Sequence, residues 1–167
     1  LQPEAEPGIT MDVYDVVSVQ RRPIEALASA LKGRAVEWLV PPGEMYVQGG
    51  ELRARLIRAA LFQYLDNAIK YGESDTIFVS ASRHQEVIVF AVSSGGDPIP
   101  ENEWDDLFEL YYRGSNITGE NTGSGIGLFQ VKEIARRLGG DAYYRPDTAV
   151  ARRNVFYLTV PSVDDAS

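Results

Sequence analysis

Apolar residues at helical spacing predict three helices along this chain. The longest covers residues 51–71, and its core-facing stripe recurs every three or four positions. The members of this stripe are Leu61, Leu65, Ala68 and Ile69. Similar stripes predict helices over residues 21–32 and 125–138, and the second of these ends at Gly139 and Gly140, a common C-terminal stop.

Segments rich in β-branched residues predict strands between these helices. They cover residues 11–19, 35–40, 45–48, 76–81, 86–93, 142–145 and 154–160. The fourth and fifth are close enough to pair as a hairpin. Residues 95–124 form a long loop with a short helix near residues 103–107, and such loops are commonly functional lids. The predicted fold class is α+β, a two-layer sandwich in which helices cover one face of a mixed, mostly antiparallel sheet.

Length and charge narrow the organisation and the classes of partner. A chain of 167 residues corresponds to about one domain. We expect a linker over residues 1–9, the domain over residues 10–161 and an acidic tail over residues 162–167. The net charge of 16 − 24 = −8 argues against a nucleic-acid partner, because neutralising phosphates requires a basic surface.

The sequence also bears on disulfides, on membrane segments and on whether the chain is a fragment. The absence of cysteine excludes disulfides and thiolate metal sites. The sequence has no run of 18 apolar residues and no signal-peptide pattern, so we expect no membrane segment in this piece. Because the chain begins with Leu1 rather than Met, we expect it to be a fragment of a longer protein.

The polar face of the long predicted helix carries candidate binding chemistry. Gln63, Asn67 and Lys70 fall within an arc of roughly 60° on the side opposite the apolar stripe. An amide oxygen that can bind a metal therefore lies beside a cation. A solvated face would more usually mix Lys with Glu, so this face favours a ligand.

A glycine-rich segment supplies a candidate anion site. Gly123, Gly125 and Gly127 directly precede a predicted helix, whose N-terminus offers free N–H donors. The spacing is not that of a P-loop, and such glycines are often plain turns. A tight turn over residues 94–100 and an aromatic segment with one arginine over residues 108–114 strengthen the hypothesis of a ligand site.

Four segments in this order resemble the sequence boxes of the catalytic, ATP-binding domain of sensor histidine kinases. They are residues 63–71 (N box), 94–99 (first glycine box), 108–113 (F box) and 123–128 (second glycine box). The resemblance covers about residues 10–161. It implies the Bergerat fold that these kinases share with gyrase-type and chaperone-type ATPases, with ATP held under a lid and Mg²⁺ as a second cofactor.

The resemblance also implies roles for individual residues. Asn67 would coordinate Mg²⁺, Lys70 would meet phosphate and Tyr71 would lie against the nucleoside. Arg113 would steady the γ-phosphate, in keeping with the electrostatic demands of phosphoryl transfer. The implied catalytic residues are Gln63, Asn67 and Arg113. The remaining implied nucleotide contacts are Ser94, Gly96, Ile99, Gly123, Gly125, Gly127 and the backbone N–H of Leu128.

Three positions depart from the family pattern. Ser94 stands where the family has an Asp that accepts a hydrogen bond from adenine, and losing a bond to a charged group costs about 1.5–3 kcal/mol. Val155 stands where many relatives place a Thr before the Phe of the last strand. Gln63 replaces the Asn of kinases or the Glu of ATPases, and because Gln is no general base, hydrolysis of ATP by water is disfavoured.

The resemblance predicts the catalytic domain of a two-component sensor histidine kinase. His84, the only histidine, is predicted in a hairpin turn, so the acceptor histidine would lie on another domain, and a response regulator would be the next partner. We expect a monomeric fragment, a homodimeric full-length protein and a cytoplasmic location. The alternatives are a pseudo-kinase domain that docks a partner and a serine kinase of the anti-sigma-factor type.

Overall fold

The computed structural model describes residues 9–73, 76–110 and 127–165. Its strands are β1 (Thr10–Asp12), β2 (Val36–Leu39), β3 (Tyr46–Gln48), β4 (Ile77–His84), β5 (Val87–Gly95), β6 (Ala142–Pro146) and β7 (Arg153–Val163). Its α-helices are α1 (Val13–Lys32), α2 (Glu51–Tyr71) and α3 (Gly127–Arg137). Two short 3₁₀ helices, Glu101–Glu103 and Asp105–Phe108, take the place of the short helix predicted near residues 103–107.

The strands form one mixed sheet in which β7 is central. β7 pairs antiparallel with β5 along one edge, and with β6 and β3 along the other. Beyond β5 the order continues through the antiparallel β4 to β2, which is the one parallel pairing among the described strands. β1 pairs antiparallel with β3 at the opposite edge. The predicted hairpin and the mostly antiparallel sheet are therefore confirmed.

The helices pack on one face of this sheet. On β5 the side chains of Ile88, Phe90 and Val92 are buried, whereas the residues between them are part-exposed. The buried side meets α2, whose predicted apolar stripe is at most 6% exposed. This alternation follows the two-residue period of a strand with one covered face. The predicted two-layer sandwich is confirmed.

The strand predicted over residues 11–19 is wrong, because β1 ends at Asp12 and α1 begins at Val13. A carboxylate oxygen of Asp12 accepts a hydrogen bond from the backbone N–H of Tyr14 at 3.0 Å, which caps the helix. Val13, Val16 and Val17 are buried at helical spacing. Burial of this face outweighs the strand preference of β-branched residues.

The C-terminal ends of α3 and β7 differ in how closely they follow the sequence prediction. The glycine stop after α3 is confirmed, because Gly139 has a φ of 84° and the N–H of Gly140 donates to the carbonyl of Ala135 at 2.9 Å. β7 continues to Val163, three residues past the predicted strand end, where Ser162 pairs with Val47 of β3. The sheet therefore extends slightly beyond the predicted domain boundary at residue 161.

Candidate nucleotide site

A cavity of about 360 Å³ lies between the C-terminal part of α2 and the adjoining ends of β5 and β7. This volume is in the range of small-molecule sites. Its larger apolar side chains are Val92, Ile99, Leu107, Leu128 and Phe156. Its polar side chains are Asn67, Tyr71, Glu73, Ser94, Asp97 and Asn154. Apolar walls interrupted by polar groups suit a flat heterocycle that carries polar substituents.

Six of the predicted nucleotide contacts meet at this cavity. They are Asn67, Tyr71, Ser94, Gly96, Ile99 and Leu128. The polar face of α2, the turn after β5 and the first turn of α3 are thus brought together, although they are far apart in sequence. Arg113, Gly123 and Gly125 lie outside the described residues, and the roles expected of them stay predictions.

Gln63 and Lys70, also on the predicted polar face, do not line the cavity. The Gln63 side chain lies against the start of α3, where a β-carbon added to Gly127 would be 2.7 Å from Gln63 Oε1. Because Gly127 has no side chain, the Gln63 amide can occupy the space beside it. The Lys70 amine lies 2.9 Å from a carboxylate oxygen of Asp66, and this hydrogen bond raises the pKa of Lys70. Its contact with phosphate remains a prediction.

The turn after β5 is fixed by hydrogen bonds from three directions. The N–H of Gly96 donates to the carbonyl of Arg152 at 2.8 Å, and the φ of Gly96, 150°, is one that side chains disfavour. The N–H of Ile99 donates to the phenol oxygen of Tyr144 at 3.0 Å. The indole N–H of Trp104 donates to the carbonyl of Ile99 at 2.8 Å. This end of the cavity is therefore held in one shape.

Two cavity residues on β7 were not predicted. Asn154 and Phe156 point into the cavity, whereas Val155, between them, is buried but does not line it. Side chains alternate across a strand, so Val155, which departs from the family pattern, faces away from the cavity that its two neighbours line. Asn154 pairs directly with Ser94 of β5, so the two side chains are neighbours.

The Asn154 amide belongs to a polar network at the edge of the cavity. Its nitrogen donates to the carbonyl of Asp97 at 3.0 Å, and its oxygen accepts from the Tyr144 phenol. Burial raises the pKa of that phenol, which therefore stays a neutral donor at physiological pH. Side chains on one face of β6 and β7 recur every second residue, and this period is the sequence signal that could have identified Tyr144, Asn154 and Phe156.

The sequence model of one family, described as Histidine kinase-, DNA gyrase B-, and HSP90-like ATPase, matches residues 53–164. The chain belongs to this family. Every cavity residue lies within the matched segment, so the cavity is part of the family domain.

Curated proteins similar to this chain include a sensor protein and a sensor-type histidine kinase. The chain is 32% identical over 138 residues to the sensor protein CreC of Escherichia coli, covering 82% of this chain and 28% of CreC. It is 32% identical over 106 residues to the sensor-type histidine kinase PrrB of Mycobacterium tuberculosis, covering 64% of this chain and 23% of PrrB. The chain thus spans less than a third of the length of these relatives.

Solved structures share the fold. The mycobacterial sensor histidine kinase MprB matches with a TM-score of 0.77 at 22% identity, covering 92% of this chain and 98% of that one. Full-length ShkA, solved in complex with AMPPNP, matches with a TM-score of 0.78 at 18% identity, covering 100% of this chain and 33% of that one. These likenesses confirm that the sandwich described above is the family fold.

An ionic cluster lies at the rim of the cavity. Arg152 bridges the carboxylates of Glu73 and Asp97, and all three side chains are at least half exposed. Glu73 is tied to the same place by its backbone N–H, which donates to the carbonyl of Gly95 at 3.0 Å. The carboxylates of Glu73 and Asp97 therefore lie beside Ser94, at the end of β5.

The described residues contain neither a metal-binding cluster of the usual side chains nor a helix suited to a membrane. Within residues 9–73, 76–110 and 127–165, no three His, Cys, Asp or Glu side chains are grouped so that they could hold a metal ion. In the same residues no helix has the length and apolar character needed to cross a bilayer.

Proposed function

We propose that this chain is the ATP-binding catalytic domain of a two-component sensor histidine kinase. It would bind ATP with Mg²⁺ and transfer the γ-phosphate to a histidine on another domain. One observation carries the proposal: Asn67 of α2, Ser94 at the end of β5 and Leu128 at the start of α3 line a single cavity. The names of the curated relatives support the same function.

The residues present fit Mg²⁺ bound together with a nucleotide. Mg²⁺ prefers oxygen ligands, keeps several waters and commonly takes substrate phosphates with only one or two protein ligands. The Asn67 amide oxygen would be such a ligand, and it requires no acidic cluster. The first turn of α3, with Leu128 in the cavity, would supply backbone N–H donors to the phosphates. Lys70, Arg113, Gly123 and Gly125 are proposed to complete the phosphate site.

His84 does not suit the role of phosphate acceptor. It is the last residue of β4, is exposed and lies 3.0 Å from the Ser82 hydroxyl, on the hairpin with β5. The cavity is formed by other elements. We therefore propose that the acceptor histidine lies on another domain, that a response regulator takes the phosphate from it, and that this domain is a cytoplasmic monomer within a dimeric kinase.

Titration of the chain with ATP and Mg²⁺ tests the binding step. We expect measurable heat and, with ATP at about 100 times its dissociation constant, a rise of about 5–10 °C in melting temperature. No heat and no thermal shift at millimolar ATP would rule out the kinase and leave the pseudo-kinase alternative, which the Ser94 substitution favours.

Phosphoryl transfer separates the two kinase alternatives. The longer protein containing this domain, incubated with ATP labelled at the γ-phosphate, should become labelled on histidine. A phosphoramidate is cleaved by acid and survives base, whereas a phosphoserine ester behaves in the opposite way. Loss of the label in acid therefore supports the histidine kinase, and an acid-stable label would support the anti-sigma-factor type.

A further inference from the structure

The charges around the cavity indicate which way a nucleotide would lie in it. Glu73 and Asp97 are beside Ser94, at one end, and Arg152, the cation that bridges them, offsets only one of their two negative charges. Asn67 and the N-terminal turn of α3 are the neutral or electropositive groups at the other end. A triphosphate is strongly anionic and avoids the carboxylates. The base therefore occupies the end where Ser94 lies.

Ser94 is the buried polar side chain at that end. It is 8% exposed and lines the cavity beside apolar walls. Among residues 9–73, 76–110 and 127–165, no group hydrogen-bonds to its hydroxyl, whereas the neighbouring Asn154 amide is bonded through both its oxygen and its nitrogen. The Ser94 hydroxyl is thus available to the edge of a bound base.

The backbone groups next to Ser94 are already engaged. The carbonyl of Gly95 accepts from the N–H of Glu73 at 3.0 Å, and the N–H of Gly96 donates to the carbonyl of Arg152 at 2.8 Å. These bonds hold the turn and leave little main-chain capacity for reading a base. The Asp97 carboxylate, also at this end, is paired with Arg152, so discrimination at this edge depends on the Ser94 hydroxyl.

A hydroxyl can donate or accept, and it changes role by rotating about one bond. At position 6 a purine presents either an amine, which donates, or a carbonyl, which accepts. We infer that this site does not discriminate between adenine and 6-oxopurine nucleotides, because Ser94 satisfies either group. The inference rests on the proposed function and concerns its substrate class: purine nucleoside triphosphates rather than ATP alone.

Inosine triphosphate is the suitable probe, because it differs from ATP only at position 6 and in the proton at N1. Both nucleotides are titrated with Mg²⁺ into the same chain. We expect their dissociation constants to agree within about threefold, since neutral hydrogen bonds of either sense have similar strength. A preference of the unmodified chain for ATP of about tenfold or more would overturn the inference.

The variant Ser94→Asp sharpens the test. An ionised carboxylate only accepts, so it favours the amine and repels the carbonyl, and the ratio of the two constants should rise to about tenfold or more in favour of ATP. The matched control is Ser93→Asp, which adds the same charge one residue earlier, outside the cavity. It should leave the ratio unchanged. A ratio that Ser94→Asp does not move would overturn the inference.

The melting temperature shows whether Ser94→Asp still folds. If it does not, Ser94→Ala provides the test instead. Removing the hydroxyl should weaken both nucleotides by the same factor, about two- to tenfold. Weakening of one nucleotide alone would contradict the inference. Binding of neither nucleotide to the unmodified chain would overturn the proposed function itself, whereas tight ATP binding with rejection of inosine triphosphate would overturn only this inference.

Discussion

The two ends of the cavity are built from different kinds of structure. The end at Ser94 is made by paired strands, and its turn is held by Arg152, Tyr144 and Trp104 through hydrogen bonds. The end at Asn67 is made by the surface of α2 and the first turn of α3. The first is held by hydrogen bonds and combines apolar walls with Ser94 and an ionic cluster, whereas the second presents the part-exposed amide of Asn67.

This difference predicts how each end should respond to the exchange of one polar group. Apolar burial and shape supply much of the affinity for a base, so exchanging one polar group at that end alters selectivity more than binding. Phosphate and metal binding depends on a few groups of defined charge and geometry. Of the positions expected to depart from the family pattern, Ser94 lies at the first end, whereas Gln63 lies against the start of α3 and outside the cavity. Asn67, the amide implied to bind metal, lies at the second end.

Removal of the Asn67 amide should give the largest effect. In Asn67→Ala we expect ATP binding with Mg²⁺ to weaken about 10- to 100-fold, because a bond to a charged group contributes about 1.5–3 kcal/mol. Titration calorimetry measures it. With EDTA in place of Mg²⁺, the variant and the unmodified chain should bind ATP alike.

The control for this variant is Asn102→Ala, which removes an exposed amide on a 3₁₀ helix outside the cavity. It should bind ATP as the unmodified chain does. Undiminished Mg²⁺-dependent binding in Asn67→Ala would refute the proposed metal contact and remove the contrast between the two ends.

The helical end of the site was easier to predict from sequence than the strand end. The polar and apolar sides of α2 follow from 100° per residue, and the structure confirms the buried side while placing Asn67 at the cavity. Lys70 shows the limit of that geometry, because an angular position does not reveal that Asp66, one turn away, binds the amine.

The strand end depended on pairing that a single sequence does not display. Asn154 faces Ser94 only because β7 pairs with β5 in this register, and no motif in the sequence points to Asn154. Tyr144 is joined to Ile99 by a contact across 45 residues. In α1, tertiary burial of Val13 and its neighbours decided against the local strand preference.

Tyr144→Phe tests the rigidity of the strand end. The phenol oxygen accepts the N–H of Ile99, and its loss leaves that donor without a partner, which costs about 1–3 kcal/mol. We expect a lower melting temperature and up to about tenfold weaker ATP binding, since the turn is less well positioned. Tyr143→Phe, whose ring stacks on Tyr157 away from the cavity, is the control. Equal effects of the two variants would show that the turn does not depend on this bond.

Tyr64→Phe tests the link between the two ends, because the Tyr64 phenol of α2 donates to the carbonyl of Tyr157 on β7 at 2.6 Å. Losing this bond should reduce the free energy of unfolding by about 1 kcal/mol.

Burial raises the pKa of Tyr64 well above its ordinary value, so the folded state is stabilised while the phenol is neutral. That contribution is complete below about pH 10 and declines as pH rises through and beyond this value.

Urea unfolding between pH 8 and pH 11 measures both effects, with the pH limits taken from the ordinary tyrosine pKa of about 10. The unmodified chain should lose stability more steeply with alkaline pH than Tyr64→Phe, which lacks this titrating group. Parallel pH profiles would mean that the Tyr64 phenol is not the buried link between α2 and β7.

Arg152→Gln should give the smallest effect and probes the charge at the base end. Exposed ion pairs contribute about 0.2–1 kcal/mol, so we expect little change in stability. Without Arg152 the carboxylates of Glu73 and Asp97 repel the triphosphate at long range, and ATP binding should weaken about two- to threefold. Added salt should abolish the difference, and uncharged adenosine should bind equally well to both proteins.

The control is Arg55→Gln, at the exposed N-terminal part of α2, which changes the net charge equally and should leave ATP binding unaffected. Equal weakening by both variants would assign the effect to net charge, whereas a loss above about tenfold would show that Arg152 contacts the nucleotide directly.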